Sequence, residues 1–312
     1  MPRINRGTSP AGDQMSTGPS FLYHDRGFSM NHLTKYTVFI TGCSSGIGHD
    51  TMRALSQRGH RVIASCRKEK DVQTLISLGY DAVLMDVDNS VSIVRAFAEV
   101  LMKTEGRLDV LINNAGYAQP GALEDLSREV LRAQFETNVF GLMELTNLAI
   151  PIMRQQGRGR IINISSLNGL ISLSFHGAYS ASKYAVEGLC DTLRLELKSS
   201  GIDVICIEPG PIESQIRENA VQRSLEKINF EHSYFSLQYQ QMLSGFQLKK
   251  AHTIFTKKTD VVVDKLIHAI ESSKPKAKYP VTFVTYFFIW IKRILSTKML
   301  DHVLAYVSKK AY

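Results

Sequence analysis

The chain has 312 residues, 44% of them hydrophobic, and a formal charge of +8. That length suits one large α/β domain with extensions and can bury a sizeable core. The basic excess lies between Lys249 and Tyr312, thirteen Lys/Arg against four Asp/Glu, and no helix-turn-helix, zinc-finger or RNA-binding signature accompanies it, so a nucleic-acid partner is excluded.

Residues 1–34 carry Pro2, Gly7, Pro10, Gly12, Gly18, Pro19 and Gly27 among Ser, Thr and Asn. Such a stretch cannot build a periodic apolar face, and it reads as a disordered N-terminal extension. It contains no apolar h-region, so a secretory signal is not expected, and Met30 reads as a natural start.

Tyr36 to Ile40 is short, β-branched and aromatic, the pattern of a buried strand. Thr41-Gly42-Cys43-Ser44-Ser45-Gly46-Ile47-Gly48 follows, and from Gly46 to Arg58 the residues Ile47, Met52 and Leu55 recur at helical spacing. The glycines therefore fall in a strand-to-helix turn, where free backbone N–H groups and the positive end of the helix dipole favour a dinucleotide pyrophosphate. Gly42 suits the tight turn, Gly46 the approach of backbone to phosphate, and Gly48 close helix packing. The next strand, Arg61 to Cys66, runs into Arg67 and Lys68. A carboxylate at its end would accept from ribose hydroxyls, but Cys66 holds that position. Arg67 would instead meet a 2′-phosphate, with Ser44 and Ser45 adding hydroxyls, so NADP(H) is the expected cofactor.

Strands alternate with helices from Tyr36 to Ile207, which predicts a doubly wound parallel sheet. Ser166 precedes Tyr179 by thirteen residues, and Lys183 lies four beyond Tyr179. Residues four apart share a helix face. A free tyrosine titrates near 10, and an adjacent ammonium is expected to lower that value and make Tyr179 a proton donor and acceptor. Ser166 would hydrogen-bond a substrate oxygen.

These markers, with Asn113-Asn114-Ala115-Gly116, Asn138 and Pro209-Gly210, resemble those of a classical short-chain dehydrogenase/reductase over about residues 35 to 280. The resemblance implies a Rossmann-type sheet with helices on both faces and a catalytic set of Asn138, Ser166, Tyr179 and Lys183. It implies that Lys183 holds the nicotinamide ribose and that Asn138 supports a water relay. Asp86, with Val87 beside it, resembles the residue at the adenine amino group. Asn114 should stabilise the central strands and line the adenosine ribose. Pro209 to Ile212 resembles the segment beside the nicotinamide carboxamide, with Ser214 in place of the usual threonine. The cofactor set is then Thr41, Gly42, Ser44, Ser45, Gly46, Ile47, Gly48, Arg67, Asp86, Val87, Asn114, Tyr179, Lys183, Pro209 and Ile212.

The domain is expected over 35–282, with a helical substrate lid at about 211–258. Ile216, Phe230, Tyr234, Phe235, Tyr239, Met242, Leu243 and Phe246 give that lid an apolar character. Residues 283–312 form an apolar, basic tail. The run Tyr279 to Ile291 is too short to span a bilayer, so the tail is either a helix docked on protein or a segment on an anionic membrane surface. Leu126 to Gln155 and Ala178 to Ser199 are long helical candidates, which the resemblance makes contact helices of a homodimer or homotetramer.

Cys43, Cys66, Cys190 and Cys206 show neither metal spacing nor a disulfide framework, and nine scattered histidines give no ligand pair, so no metal is expected and the compartment reads as reducing and cytoplasmic. The pattern is similar to the branch holding 17β-hydroxysteroid and retinol dehydrogenases and bacterial NADP-dependent aldehyde reductases. It implies an NADPH-dependent reductase of an apolar aldehyde or ketone, or the reverse alcohol oxidation. The alternative is a cofactor-sensing protein with little turnover.

Overall fold

The computed structural model describes residues 35–213, 216–247 and 255–310. The expected N-terminal extension, Met30 and Ser214 lie outside them, as do the side chains of Ile216, Leu243 and Phe246.

Seven strands form one parallel sheet in the order β3-β2-β1-β4-β5-β6-β7. They are β1 (Thr37–Ile40), β2 (Arg61–Cys66), β3 (Asp81–Leu84), β4 (Val110–Asn113), β5 (Gly159–Ile164), β6 (Ile202–Glu208) and β7 (Lys278–Pro280). Alternating side chains feed two cores. Val38 and Ile40 face α1 (Gly46–Gln57) and α9 (Asp260–Glu271), joining Met52, Leu55, Val262 and Leu266. Phe39 points the other way, toward α3 (Ser90–Lys103), α5 (Gly141–Gln155) and α6 (Gly177–Glu196), joining Ile93, Phe97, Leu145, Met153 and Val186. A sheet buried on both faces requires near-continuous apolar strands, which is how β1 and β4 read. A short helix α2 (Glu69–Ser77) connects β2 to β3.

The strand order reverses between β1 and β4, and in such sheets ligands bind beyond the carboxyl ends of the strands at that point. Of the candidate Leu126 to Gln155, Arg128 to Gln155 is helical without a break, with a π turn inside it. It contains α4 (Arg128–Phe135), a five-residue π-helical turn at Glu136–Phe140, and α5. The lid holds α7 (Ile216–Lys227) and α8 (Ser236–Gln247), and a bridge between Ile212 and Lys257 closes its base. The tail forms α10 (Phe283–Ile294) and α11 (Thr297–Lys310).

Candidate active site

Between β1 and α1 the backbone itself shapes the site. Gly42 has φ +72°, and a Cβ there would lie 2.9 Å from the Ala115 Cα. A Cβ at Gly48 would lie 2.4 Å from the Gly42 carbonyl oxygen, so the turn closes only on glycine. Ser45 precedes α1 in extended conformation without a side-chain capping bond, and the first turn of α1 carries no acid. The leading amides are thus left for an anion, with exposed Ser44 and half-buried Ser45 and Ile47 around them. At the end of β2, Cys66 is buried and Arg67 and Lys68 are exposed, with no carboxylate between them. This combination fits a dinucleotide with a phosphorylated adenosine ribose.

Thr41 and Asn114, two of the expected cofactor residues, also brace the turn. The Thr41 hydroxyl is buried and accepts from the backbone N–H groups of Asn114 (3.0 Å) and Ala115 (2.8 Å), which holds the turn. Asn114 donates to the carbonyls of Thr41 (2.8 Å) and Gly42 (3.0 Å). These bonds tie the end of β4 to the end of β1, and its neighbour Asn113 adds a link to β5, donating to Thr146 Oγ1 (2.9 Å) and Asn163 Oδ1 (2.8 Å). Asp86 stands half-buried beyond β3 and accepts from the Asp88 N–H at 3.1 Å. The Val87 carbonyl abuts Gly141, where a Cβ would lie 2.0 Å from it.

The catalytic candidates converge at the carboxyl ends of β5 and β6. Ser166 follows β5 and hydrogen-bonds the Tyr179 phenol from α6. Its Oγ also accepts from the Asn168 N–H (3.1 Å), which fixes the hydroxyl. Lys183 is buried one turn along α6, with Nζ 5.8 Å from the Tyr179 ring centre and donating to the Ile164 carbonyl at 2.7 Å. Asn138 sits in the π-helical turn. Its Nδ2 donates to the Tyr117 carbonyl and to Ser182 Oγ, both at 3.0 Å, and its Oδ1 accepts from the Tyr117 N–H at 3.0 Å. The side chain of Asn138 is therefore engaged within the protein.

The expected lowering of the tyrosine pKa is corrected. Burial raises Tyr179 above its usual value, and the Ser166 hydrogen bond only opposes that rise. Burial also draws Lys183 down to about 8, against the pull of Cys206 and Glu187 in the other direction. The physical reason is that the ammonium bonds the Ile164 carbonyl, not the phenol.

Residues beyond the expected set complete the site. Glu187 accepts from Lys278 Nζ (2.8 Å) and from the Cys206 thiol (3.3 Å), forming a charged cluster behind Lys183. Glu208 is 1% exposed, and its Oε2 finds no partner among the described residues. Burial and the charge of Glu187 push it up to about 7. The offset of Glu187 from Lys183, four residues or one helical turn, was the available signal for it; Glu208, at the end of an apolar strand, gave none.

A profile described as "short chain dehydrogenase" matches residues 36–224. The chain belongs to that family. It is 41% identical over 268 residues to the "Uncharacterized oxidoreductase YbbO" of Escherichia coli (strain K12), covering 86% of this chain and 93% of that one. It is 34% identical over 286 residues to "17-beta-hydroxysteroid dehydrogenase type 6" of Mus musculus, covering 88% and 90%. A crystal structure of a short-chain dehydrogenase from Streptomyces avermitilis superposes with TM-score 0.68 at 29% identity, covering 88% and 96%. The short-chain dehydrogenase described here is thus an oxidoreductase whose cofactor class is a nicotinamide dinucleotide.

Lid and tail frame the catalytic loop from two sides. Phe230, Phe235, Tyr239 and Met242 of the lid pack with Ala122, Leu126 and Ala178, whereas Tyr234 is exposed. Phe175 meets Phe235 and Tyr239 edge-on at 5.4 and 5.5 Å. The Arg223 guanidinium lies 3.9 Å from the Tyr117 ring centre. Beside Pro209 and buried Ile212, a Cβ at Gly210 would fall 2.1 Å from Thr282 Oγ1, so the start of α10 is pressed against the segment expected at the nicotinamide.

Proposed function

We propose that this short-chain dehydrogenase is an NADPH-dependent reductase of apolar aldehydes or ketones, which also oxidises the matching alcohols. The observation that carries this reading is the Ser166–Tyr179 hydrogen bond, with Lys183 one turn behind it. Arg67, Ser44 and Ser45 would hold the 2′-phosphate side of the cofactor, the amides from Gly46 to Gly48 its pyrophosphate, and Lys183 the nicotinamide ribose. Bound there, the reduced nicotinamide supplies a hydride to the carbonyl carbon.

The protein's residues do the rest. Ser166 and Tyr179 hold the carbonyl oxygen between two hydroxyls and stabilise the charge that grows on it. Tyr179, kept protonated by burial, donates the proton that completes the alcohol. Lys183, held on the Ile164 carbonyl, stands one turn behind the phenol, and Asn138 locks the Tyr117 backbone against α6 through Ser182. The packed lid aromatics and the mouse steroid dehydrogenase relative support an apolar substrate.

A homo-oligomer belongs to the same reading, because Phe140 and Leu195 leave apolar surface on the contact helices that a second copy would cover. Light scattering should report a dimer or tetramer, and a clean monomer would remove that part. The decisive test is a panel of aldehydes, retinoids and steroids with NADPH, followed at the nicotinamide absorbance. Oxidation of NADPH by at least one apolar member is expected; none with any member would favour cofactor sensing instead.

A further inference from the structure

The tail helix α10 has two apolar faces, and the protein uses one. Phe288 is buried and Val284 and Ile291 are half-buried against Leu167 and Ile171, with Val303, Leu304 and Val307 of α11 closing the cluster. Ser308 of α11 accepts from the Ser174 N–H, tying the tail to the same loop. The adjacent stripe faces outward: Phe283 is 75% exposed and Trp290 63%, with Tyr286, Phe287 and Ile294 along the same side. Contiguous apolar surface of this kind marks an interaction site.

We propose that the outward face of α10 is a docking surface for an anionic lipid bilayer. Twelve residues of helix span about 18 Å, short of the roughly 30 Å of hydrocarbon a crossing needs. No helix among the described residues is long and apolar enough to cross a membrane, so this one lies on the surface. Trp290 and Tyr286 are the side chains that favour headgroup depth.

Charge selects the occupant. Residues 283–312 hold five Lys/Arg and one Asp. Lys292 folds back onto the Leu170 carbonyl and the Tyr184 ring, leaving Arg293 and Lys298 exposed without an ion pair among the described residues. A second copy would bring the same cations to the same face and be repelled, whereas anionic headgroups complement it. The docked side of α10 stands on Leu167 and Ile171, directly after Ser166. Attachment would therefore bring the catalytic loop within about one helix diameter, ~10 Å, of the lipid surface. Delivery of an apolar carbonyl from the bilayer rests on the proposed function; attachment itself does not.

The test is flotation of the full chain with phosphatidylcholine–phosphatidylglycerol vesicles, and with phosphatidylcholine alone, at low and high salt. The wild type should float with the anionic vesicles at low salt and bind pure phosphatidylcholine about thirtyfold less, the difference expected from two surface cations. High salt should weaken the binding. The double variant Phe283→Asp/Trp290→Asp should stay in solution with an unchanged melting temperature and unchanged turnover of a water-soluble aldehyde. Wild type that fails to float at low salt, or a double variant that floats as well as wild type, overturns the proposal. If the variant instead converts an oligomer to a monomer and the wild type never floats, a second copy covers this face. Turnover is measured separately, so an inactive protein that floats refutes only the enzymatic reading.

Discussion

The turn after β1 and the cluster around Lys183 serve one reaction but are built from different material. The turn is made of backbone: Gly42 and Gly48 are forced by contacts of 2.9 and 2.4 Å, and its anion site consists of amides. The Lys183 cluster is made of polar and charged side chains from α6, β6 and β7, anchored on the Ile164 carbonyl of β5. Backbone sites depend on shape and tolerate changes of charge; side-chain clusters depend on charge and respond to pH. The predictions below press on that contrast.

The largest effect should come from the one proton that must move. Tyr179→Phe removes it and should lower kcat by about 10³-fold, within the range for general acid catalysis. NADPH binding, measured by fluorescence, and the thermal melt should stay near wild type. Near-normal turnover would refute the proton-donor role.

On the cofactor side, Arg67→Ala should weaken NADPH by about 1.5–3 kcal/mol, the scale of a charged hydrogen bond, and NADH much less. Titration of both cofactors checks this. Equal losses would show that Arg67 does not read a 2′-phosphate.

Glu208 gives the pH arm. Its folded pKa of about 7 lies above the ordinary 4.5, so the folded state holds the proton more tightly. The stability this contributes is full below about 4.5 and is lost as pH rises through 7. Glu208→Gln should therefore raise stability at pH 8 by roughly 1–2 kcal/mol, allowing for relaxation around the site, and change it little at pH 4. Urea unfolding at the two pH values decides it, and equal effects at both would mean that packing, not charge, dominates.

The smallest effect is a shift in a pH profile. Glu187→Gln removes a negative neighbour of Lys183 and should move the lysine below its present value of about 8. The limb of the kcat profile that follows Lys183 should shift acidward by about one unit. An unmoved limb, with Glu187→Asp also silent, would leave Glu187 a structural ion pair with Lys278.

The same contrast explains what was legible in the residues. Gly42, Gly46 and Gly48 announce their turn because few other residues fit it, and Ser166, Tyr179 and Lys183 meet as their spacing implies. The bracing by Thr41 and Asn114 within the turn was less legible for Thr41, whose hydroxyl accepts from two backbone amides across the β1–β4 gap. The sign of the Tyr179 shift was hidden as well, since proximity along a helix does not show that Lys183 bonds the Ile164 carbonyl. The strand β7 has three residues, one of them proline, and makes its pairing only with β6 across some seventy positions of chain. Periodicity has no hold on so short an element. For the tail, the sequence left a docked helix and a lipid-facing segment as alternatives, whereas one helix presents a docked face and an outward one.

The pressing of Thr282 against Gly210 also orders events during synthesis. Strands β1 to β4 are complete by Asn113, and they pair among themselves. Pro209 to Ile212 emerges from the ribosome well before Thr282 and Thr285, the residues pressed against it at Gly210. At about 5–20 residues per second, that segment waits several seconds for its support. A nascent chain should thus acquire a protease-resistant cofactor half first, and a catalytic loop only when the last two helices have been made.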